Sequence, residues 1–346
     1  MIFRTKNATL KINKRNAKRN VLWFSAWSGY YVSSCNPYVY RGGFVSLIDV
    51  FKISLRECCN IAVPLFLAIS GYFIGRKKME NPNDYFTFLS KQIPRVYIPC
   101  IIWSLPVLLI YLYHNFPIGT SLLRIMSCSA FGPYYFIALI LQLYILHPII
   151  NYVYKKRLGW TVILINALSV LLLNYYIIKK IGDSNLPFVI LAGPFVYWFA
   201  FYYLGRKAIG RDDVSHFRIV LFITILLWAI QLIEASYIGV GIKLSSWIWA
   251  YVSIILLFCS KIQNLYYSHE TNILLKGIKE IGKYSFGIYL SHVYVLLILE
   301  KVHISGIWLV NWLVTLITAY LLVKLLEAVF NHLPYRQFTT KYFGLK

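Results

Sequence analysis

Residues 62–74 read AVPLFLAISGYFI, and Gly75, Arg76, Lys77 and Lys78 follow at once. A stretch this apolar, interrupted only by Pro64, has to lie in lipid or in a large core. Its abrupt basic end marks the cytoplasmic face of a membrane. The pattern recurs along the chain, with apolar segments at 21–35, 58–75, 96–113, 133–152, 158–178, 187–205, 217–236, 244–260, 284–300 and 305–325. A bilayer crossing needs about 20 residues, fewer where a helix is short or broken. The first segment is the least apolar: it holds Ser25, Ser28, Gly29, Ser33 and Ser34, and Asn36-Pro37 ends it early. The expected fold is all-α, a polytopic membrane protein of ten transmembrane helices.

Charge sets the orientation. The chain has 35 Lys and Arg against 12 Asp and Glu, a net charge of +23. With both termini in the cytoplasm, inside segments hold 27 of the 35 basic residues and outside segments 8. The bias has the same sign at every loop, as the positive-inside rule requires. Charged residues make up only 14% of the chain, against about 25% in a soluble domain, too few to cover a water-facing surface. The basic residues stand between apolar runs rather than on an amphipathic face, so they read as topology signals, and nucleic acid is not an expected partner.

The implied layout is a basic cytoplasmic tail at 1–20, a ten-helix transmembrane domain at 21–325 and a cytoplasmic C-terminal tail at 326–346. No segment between helices is long enough to bury a core of its own. Residues 1–20 do not read as a cleavable signal peptide. Six cysteines show no CxxC or Cys/His spacing, so no metal site is expected and most read as apolar filler. No internal repeat of the kind found in many secondary transporters is evident.

Five segments, in order, resemble the membrane acyltransferase-3 family of bacteria. They are VPLFLAISGYF at 63–73, RVYIPCIIWS at 95–104, YFIAL at 135–139 with LYILHP at 143–148, WFAFYYLG at 198–205, and IGKYSFGIYLSH at 281–292. The first and the last are the specific ones. The resemblance implies an integral membrane acyltransferase of the bacterial inner membrane. It would transfer an acyl group, acetyl in the first instance, from acyl-CoA to a hydroxyl of a surface or exported glycan. The family's first helix usually carries a basic residue and, after ten intervening residues, a histidine. Counting from Arg19 reaches Tyr30 and from Lys18 reaches Gly29, and no histidine occurs before His114.

Candidate residues follow from this layout. Arg76, Lys77, Lys78, Lys91 and Arg95 lie at or between the expected cytoplasmic ends of two consecutive helices. If acyl-CoA (acetyl-CoA) is the donor, its phosphates need such a cluster, because Arg pairs with phosphate bidentately and Lys adds point charge. The bland alternative is contact with lipid headgroups. His292 stands mid-way along the ninth apolar segment, where an ionisable residue is a functional candidate by default. It is the imidazole best placed for general base work on a sugar hydroxyl. A packing hydrogen bond is the competing reading, with Tyr289 and Ser285 one and two turns before it.

His147, next to Pro148, is explained by a structural hydrogen bond. Tyr30 could orient an acceptor, but with a pKa near 10 a phenol is a poor base. On the outward side Asp49, Arg56, Glu57, Asp183, Glu234 and Glu300 are the charged candidates for a sugar acceptor, though most read as solvated loop charges or neighbours in surface ion pairs. Trp247, Trp249, Trp308 and Trp312 read mainly as an interfacial aromatic belt. The bilayer, acyl-CoA and a glycan acceptor are the expected partners. Two rival functions remain open: a non-catalytic relative that assists polysaccharide export or assembly, and a small-molecule carrier, which would need more charged pairs at mid-membrane than the chain offers.

Overall fold

The computed structural model describes residues 51, 54, 60–77, 79, 81–113, 115–173, 193–207, 217–238, 244–258, 273–302, 308–332 and 342–344. Among the described residues regular structure is helical throughout, without a strand, so the all-α expectation holds. The expected first span at 21–35 with Tyr30, the tail at 1–20, and Lys78 lie outside the described residues.

Helix α1 (Ala62–Ile74) is the apolar run of the basic stop. Pro64 falls in its first turn, where a missing N–H costs no intrahelical bond. The helix stops at Gly75, whose N–H still reaches the Gly71 carbonyl.

Helix α2 (Pro82–Tyr113) begins well before the expected start at 96 and carries Lys91 and Arg95 on its own body rather than leaving them in a loop. The next connection is not a plain loop either. It forms α3 (Ile118–Met126), whose apolar residues recur at helical spacing, with Ser121 and Ile125 buried. Phenols of α2 hold this segment back against it: Tyr97 donates to the Met126 carbonyl at 2.8 Å and Tyr111 to that of Ala130 at 3.0 Å.

A 3-10 turn (Gly132–Tyr134) leads into α4 (Tyr135–Ile145) and α5 (His147–Lys155). The expected single span at 133–152 is instead bent by 57° at this junction. Pro148 has no N–H to give to the Tyr144 carbonyl, and its ring crowds that turn. Helix α6 (Gly159–Leu172) and a second 3-10 turn (Phe195–Tyr197) precede α7 (Phe199–Lys207). Then come α8 (Phe217–Ile238), α9 (Leu244–Leu257), α10 (Ile273–Lys283), α11 (Ser285–Val302) and α12 (Trp308–Asn331).

Among the described residues three helices are long and apolar enough to cross a membrane, namely α2 and the apolar stretches Phe217–Glu234 of α8 and Val310–Asn331 of α12. The bent α4–α5 pair makes a fourth if counted as one span. Only 6% of the apolar stretch of α8 is buried, with Ile219, Phe222, Ile225 and Ile233 all exposed. Such a surface belongs in hydrocarbon.

The main core gathers Leu67, Ile137, Leu139, Leu143, Phe201, Tyr202, Ile254 and Leu290 from five helices. A smaller one between α11 and α12 holds Ile288, Val295, Ala319 and Val323. Helix α12 runs past the expected boundary at 325, with the Lys324 ammonium lying 5.4 Å from the Tyr320 ring centroid. Part of the expected C-terminal tail returns to the bundle. The indole N–H of Trp103 on α2 donates to the Phe343 carbonyl at 3.1 Å, and Phe343 packs on Phe330 of α12.

Candidate active site

Helices α1 and α7 meet backbone to backbone, because glycine stands at each point of contact. A Cβ on Gly205 would run into the carbonyl of Ala68, and one on Gly71 into the carbonyl of Tyr202. Small residues that let two helices approach this closely are the usual glue where no hydrophobic force drives association. Gly75, just past the end of α1, lies under the Arg206 side chain near the end of α7. The two helices therefore finish together, and their separate basic stops become one cluster.

Hydrogen bonding fixes α7 at both ends. Asn166 of α6, fully buried, accepts from the Ala200 N–H at 3.0 Å and donates to the Val196 carbonyl at 2.6 Å, capping the start of the helix. At the other end Arg206 donates from Nε to Asn151 Oδ1 at 3.1 Å, and its guanidinium lies 4.3 Å from the Tyr154 ring centroid. Asn151 also bonds His147 Nε2 at 3.0 Å, and His147 Nδ1 bonds the Tyr202 hydroxyl at 3.1 Å. His147 is thus structural, as expected, but its partners are side chains of α5 and α7 rather than a carbonyl freed by Pro148.

Around Arg206 the expected cations take their places. The Arg76 guanidinium sits 3.8 Å from the Tyr72 ring centroid, and its Nη1 is buried with no hydrogen-bond partner among the described residues. Lys77 Nζ lies 4.8 Å from the Phe88 ring centroid, which ties the end of α1 to α2. The Lys77 ammonium titrates below the usual lysine range. Partial burial is the larger cause, and repulsion by Arg95 and Lys91 adds to it. Among the described residues none of Arg76, Lys77, Arg95 and Arg206 is ion-paired with a carboxylate. Among the described residues the cluster is therefore a positive field without a paired counter-charge, suited to an anion.

The second feature is His292, 2% exposed on α11. Its Nδ1 lies 2.6 Å from the Tyr289 carbonyl. A carbonyl only accepts, so Nδ1 carries the proton and Nε2 is the bare nitrogen of the ring. That Nε2 is buried and has no hydrogen-bond partner among the described residues. The chain around it is held from two directions. Tyr134 donates to the Leu290 carbonyl at 2.6 Å, and the Tyr289 phenol donates to the Pro133 carbonyl. These reciprocal bonds lock the start of α4 to α11 one turn before His292. Ser285 is not a partner, since its hydroxyl donates to the Gly282 carbonyl at 3.0 Å.

A family model described as an acyltransferase domain matches residues 24–327. The chain belongs to the acyltransferase-3 family. No curated protein and no solved structure matches it. The membership and the apolar helices together make this a membrane acyltransferase by family.

For this acyltransferase-3 protein, Arg95 and Lys91 lie near enough to repel the Lys77 ammonium, which gathers them with Arg76 into one basic region. The sequence reading missed Arg206, Asn151 and Tyr202. The signal available was the WFAFYYLG segment itself, followed by Arg206 and Lys207 just as the SGYFIG of α1 is followed by Arg76 and Lys77. Three of the tryptophans assigned to an interfacial belt are interior residues, with Trp247, Trp249 and Trp312 only 6%, 7% and 8% exposed. The Trp247 ring packs on Phe201 of α7, a choice of face that composition does not reveal. Among the described residues no group of His, Cys, Asp and Glu could hold a metal, and Cys100 and Cys128 are buried and free.

Proposed function

We propose that the protein is a multi-pass enzyme of the bacterial inner membrane that moves an acyl group, in the first instance acetyl, from acyl-CoA to a hydroxyl of a surface or exported glycan. The ten-helix layout with both termini in the cytoplasm underlies this reading. The observation that carries it is the joining of the two basic stops at Gly75 and Arg206, with Lys77, Lys91 and Arg95 beside them. A phosphate-rich donor supplies the counter-charge that this cluster lacks, with guanidinium groups taking phosphate oxygens in pairs.

His292 supplies the base. Its free Nε2 takes the proton of the acceptor hydroxyl as the oxygen attacks the thioester carbonyl. The carbon–sulfur bond then breaks, and the departing thiolate takes the proton from the imidazolium. With Nδ1 committed to the Tyr289 carbonyl, the ring keeps the tautomer that this step needs. His292 is 2% exposed, so the acyl end of the donor has to reach into the bundle.

The test is acyl transfer by purified protein in nanodiscs, with acetyl-CoA and glycan released from the host surface. Arg76→Ala raises KM for the donor, and His292→Ala lowers kcat by about 10²–10⁴ while leaving donor KM nearly unchanged. Full activity in both variants would refute the assignment. The absence of any histidine before His114 favours a second reading, an inactive relative that assists glycan export. That reading predicts unchanged ester content and less glycan at the surface on deletion of the gene.

A further inference from the structure

The returning segment, residues 342–344, is seated between helices far from it in sequence. The Phe343 ring lies 4.6 Å from that of Phe330 on α12, and its carbonyl accepts from the Trp103 indole of α2 at 3.1 Å. Gly344 has a φ of +65°, a conformation that a side chain makes costly. A Cβ there would stand 2.7 Å from the Phe286 ring of α11 and 3.4 Å from Pro99 of α2. The backbone therefore rests directly on both helices, in the crevice between them. Glycine serves twice at this point, for its conformation and for its lack of bulk.

The crevice has a place in the chemistry. Lys91, Arg95, Pro99 and Trp103 recur at every fourth position of α2, so they form one row along the helix. The first two belong to the basic cluster, and the last two carry the returning segment. Only about 6 Å of helix separates Arg95 from Pro99. On the opposite wall Phe286 stacks on Tyr289, with centroids 6.5 Å apart and planes 10° from parallel. The Tyr289 carbonyl in turn holds His292 Nδ1, and the two rings lie 5.8 Å apart. Further along, α2 and α11 close on each other, with the Tyr294 phenol donating to the Trp103 carbonyl. An acyl arm that leaves its phosphates on the cluster and runs between α2 and α11 toward His292 meets Phe343 and Gly344 on the way.

The contacts that seat the segment are modest. A hydrogen bond such as that from Trp103 and a ring pair such as that with Phe330 are each worth about fivefold in an equilibrium. A ligand that makes several charge-assisted contacts at the cluster has more than this to trade. We infer that residues 342–344 are an autoinhibitory plug, seated on the donor route while no donor is bound and displaced by acyl-CoA. This rests on the transferase reading for the identity of the donor.

The test uses full-length protein in nanodiscs, with acetyl-CoA and no glycan. Gly344→Ala strains the backbone and strikes Phe286, and Phe343→Ala removes the ring seated on Phe330. Each unseats the plug, so each binds acetyl-CoA about fivefold more tightly than the wild type. A strap with a purely structural role would lower the thermal midpoint and leave affinity unchanged or weaker. A second measurement needs no variant. In the wild type, saturating acetyl-CoA speeds amide hydrogen exchange of the peptide that contains residues 342–344, read by mass spectrometry.

Wild-type or weaker affinity in both variants would overturn the plug, and so would exchange that the donor slows or leaves unchanged. Ester formation by the wild type would then leave the transferase reading intact. Tighter binding in the variants and faster exchange, with no ester formed by the wild type, would keep the plug and remove the transferase reading.

Discussion

Replacing Gly205 with alanine is the sharpest test of how the basic cluster is assembled. The added Cβ falls well over an ångström short of the 3.4 Å at which ordinary contact with the Ala68 carbonyl oxygen begins. The obstacle is backbone on a helix packed along its length, so no rotamer relieves it and α1 and α7 must separate. Overpacking of this kind costs about 2–3 kcal/mol. In a chain of 346 residues that lowers the melting temperature by about 3–4 °C. Because Gly75 lies against the Arg206 side chain, the same displacement draws Arg206 away from Arg76 and raises donor KM about tenfold, the loss of one charge-assisted contact. Gly277→Ala on α10 is the control, since a Cβ there meets nothing within 4 Å, and higher helix propensity stabilises by up to about 1 kcal/mol. Thermal unfolding in detergent and donor titration read both effects. A Gly205→Ala protein with unaltered melting and donor KM would refute the close crossing and the shared cluster together.

Asn166→Ala strips the partner from a buried N–H at Ala200 and a buried carbonyl at Val196; a loss of about 2–3 kcal/mol in thermal or chemical unfolding is expected. Arg206→Lys keeps the charge but gives up the planar contact with Tyr154 and the Nε bond to Asn151. A weaker donor complex with unchanged kcat should result, and an unaltered KM would count against Arg206 as a positioning residue. Lys77 has a lowered folded pKa, so its charged form is penalised on folding, fully so below the folded pKa, and the penalty fades as pH rises through that value toward the unfolded one. Lys77→Met therefore melts slightly higher than wild type near neutral pH, by an amount that shrinks in strongly alkaline buffer. A gain that grows with pH would contradict the assignment.

How much of this was legible depends on how local each signal is. The apolar run of α1 and its basic stop are written in consecutive residues, and so is the family likeness of IGKYSFGIYLSH. His292 stood out because an imidazole is costly inside an apolar helix. Its reactive geometry did not, because the free Nε2 depends on which carbonyl takes Nδ1. Gly71 and Gly205 stand 134 positions apart, and nothing local announces that each removes the side chain the other helix would strike. Pro148 was visible, but a proline can be absorbed, as Pro94, Pro99 and Pro106 are in α2, or it can bend the span, as it does after α4. The tryptophans of α9 carried the same ambiguity: an indole suits a membrane interface and an interior equally, and only the packing of neighbouring helices decides.

Helix α1 is bounded on both sides by described residues and contains 13 residues, a rise of about 20 Å. The hydrocarbon layer of a bilayer is about 30 Å thick. The wall built from α1, α7 and the broken α4–α5 pair is thus narrower than the membrane around it, and lipid has to thin or tilt to meet it. For the reaction proposed above, with its two substrates approaching from opposite sides, this matters more than any single side chain. The gap to be bridged shrinks to a length that a flexible donor arm and a partly inserted sugar can share, so neither partner has to be carried through the bilayer.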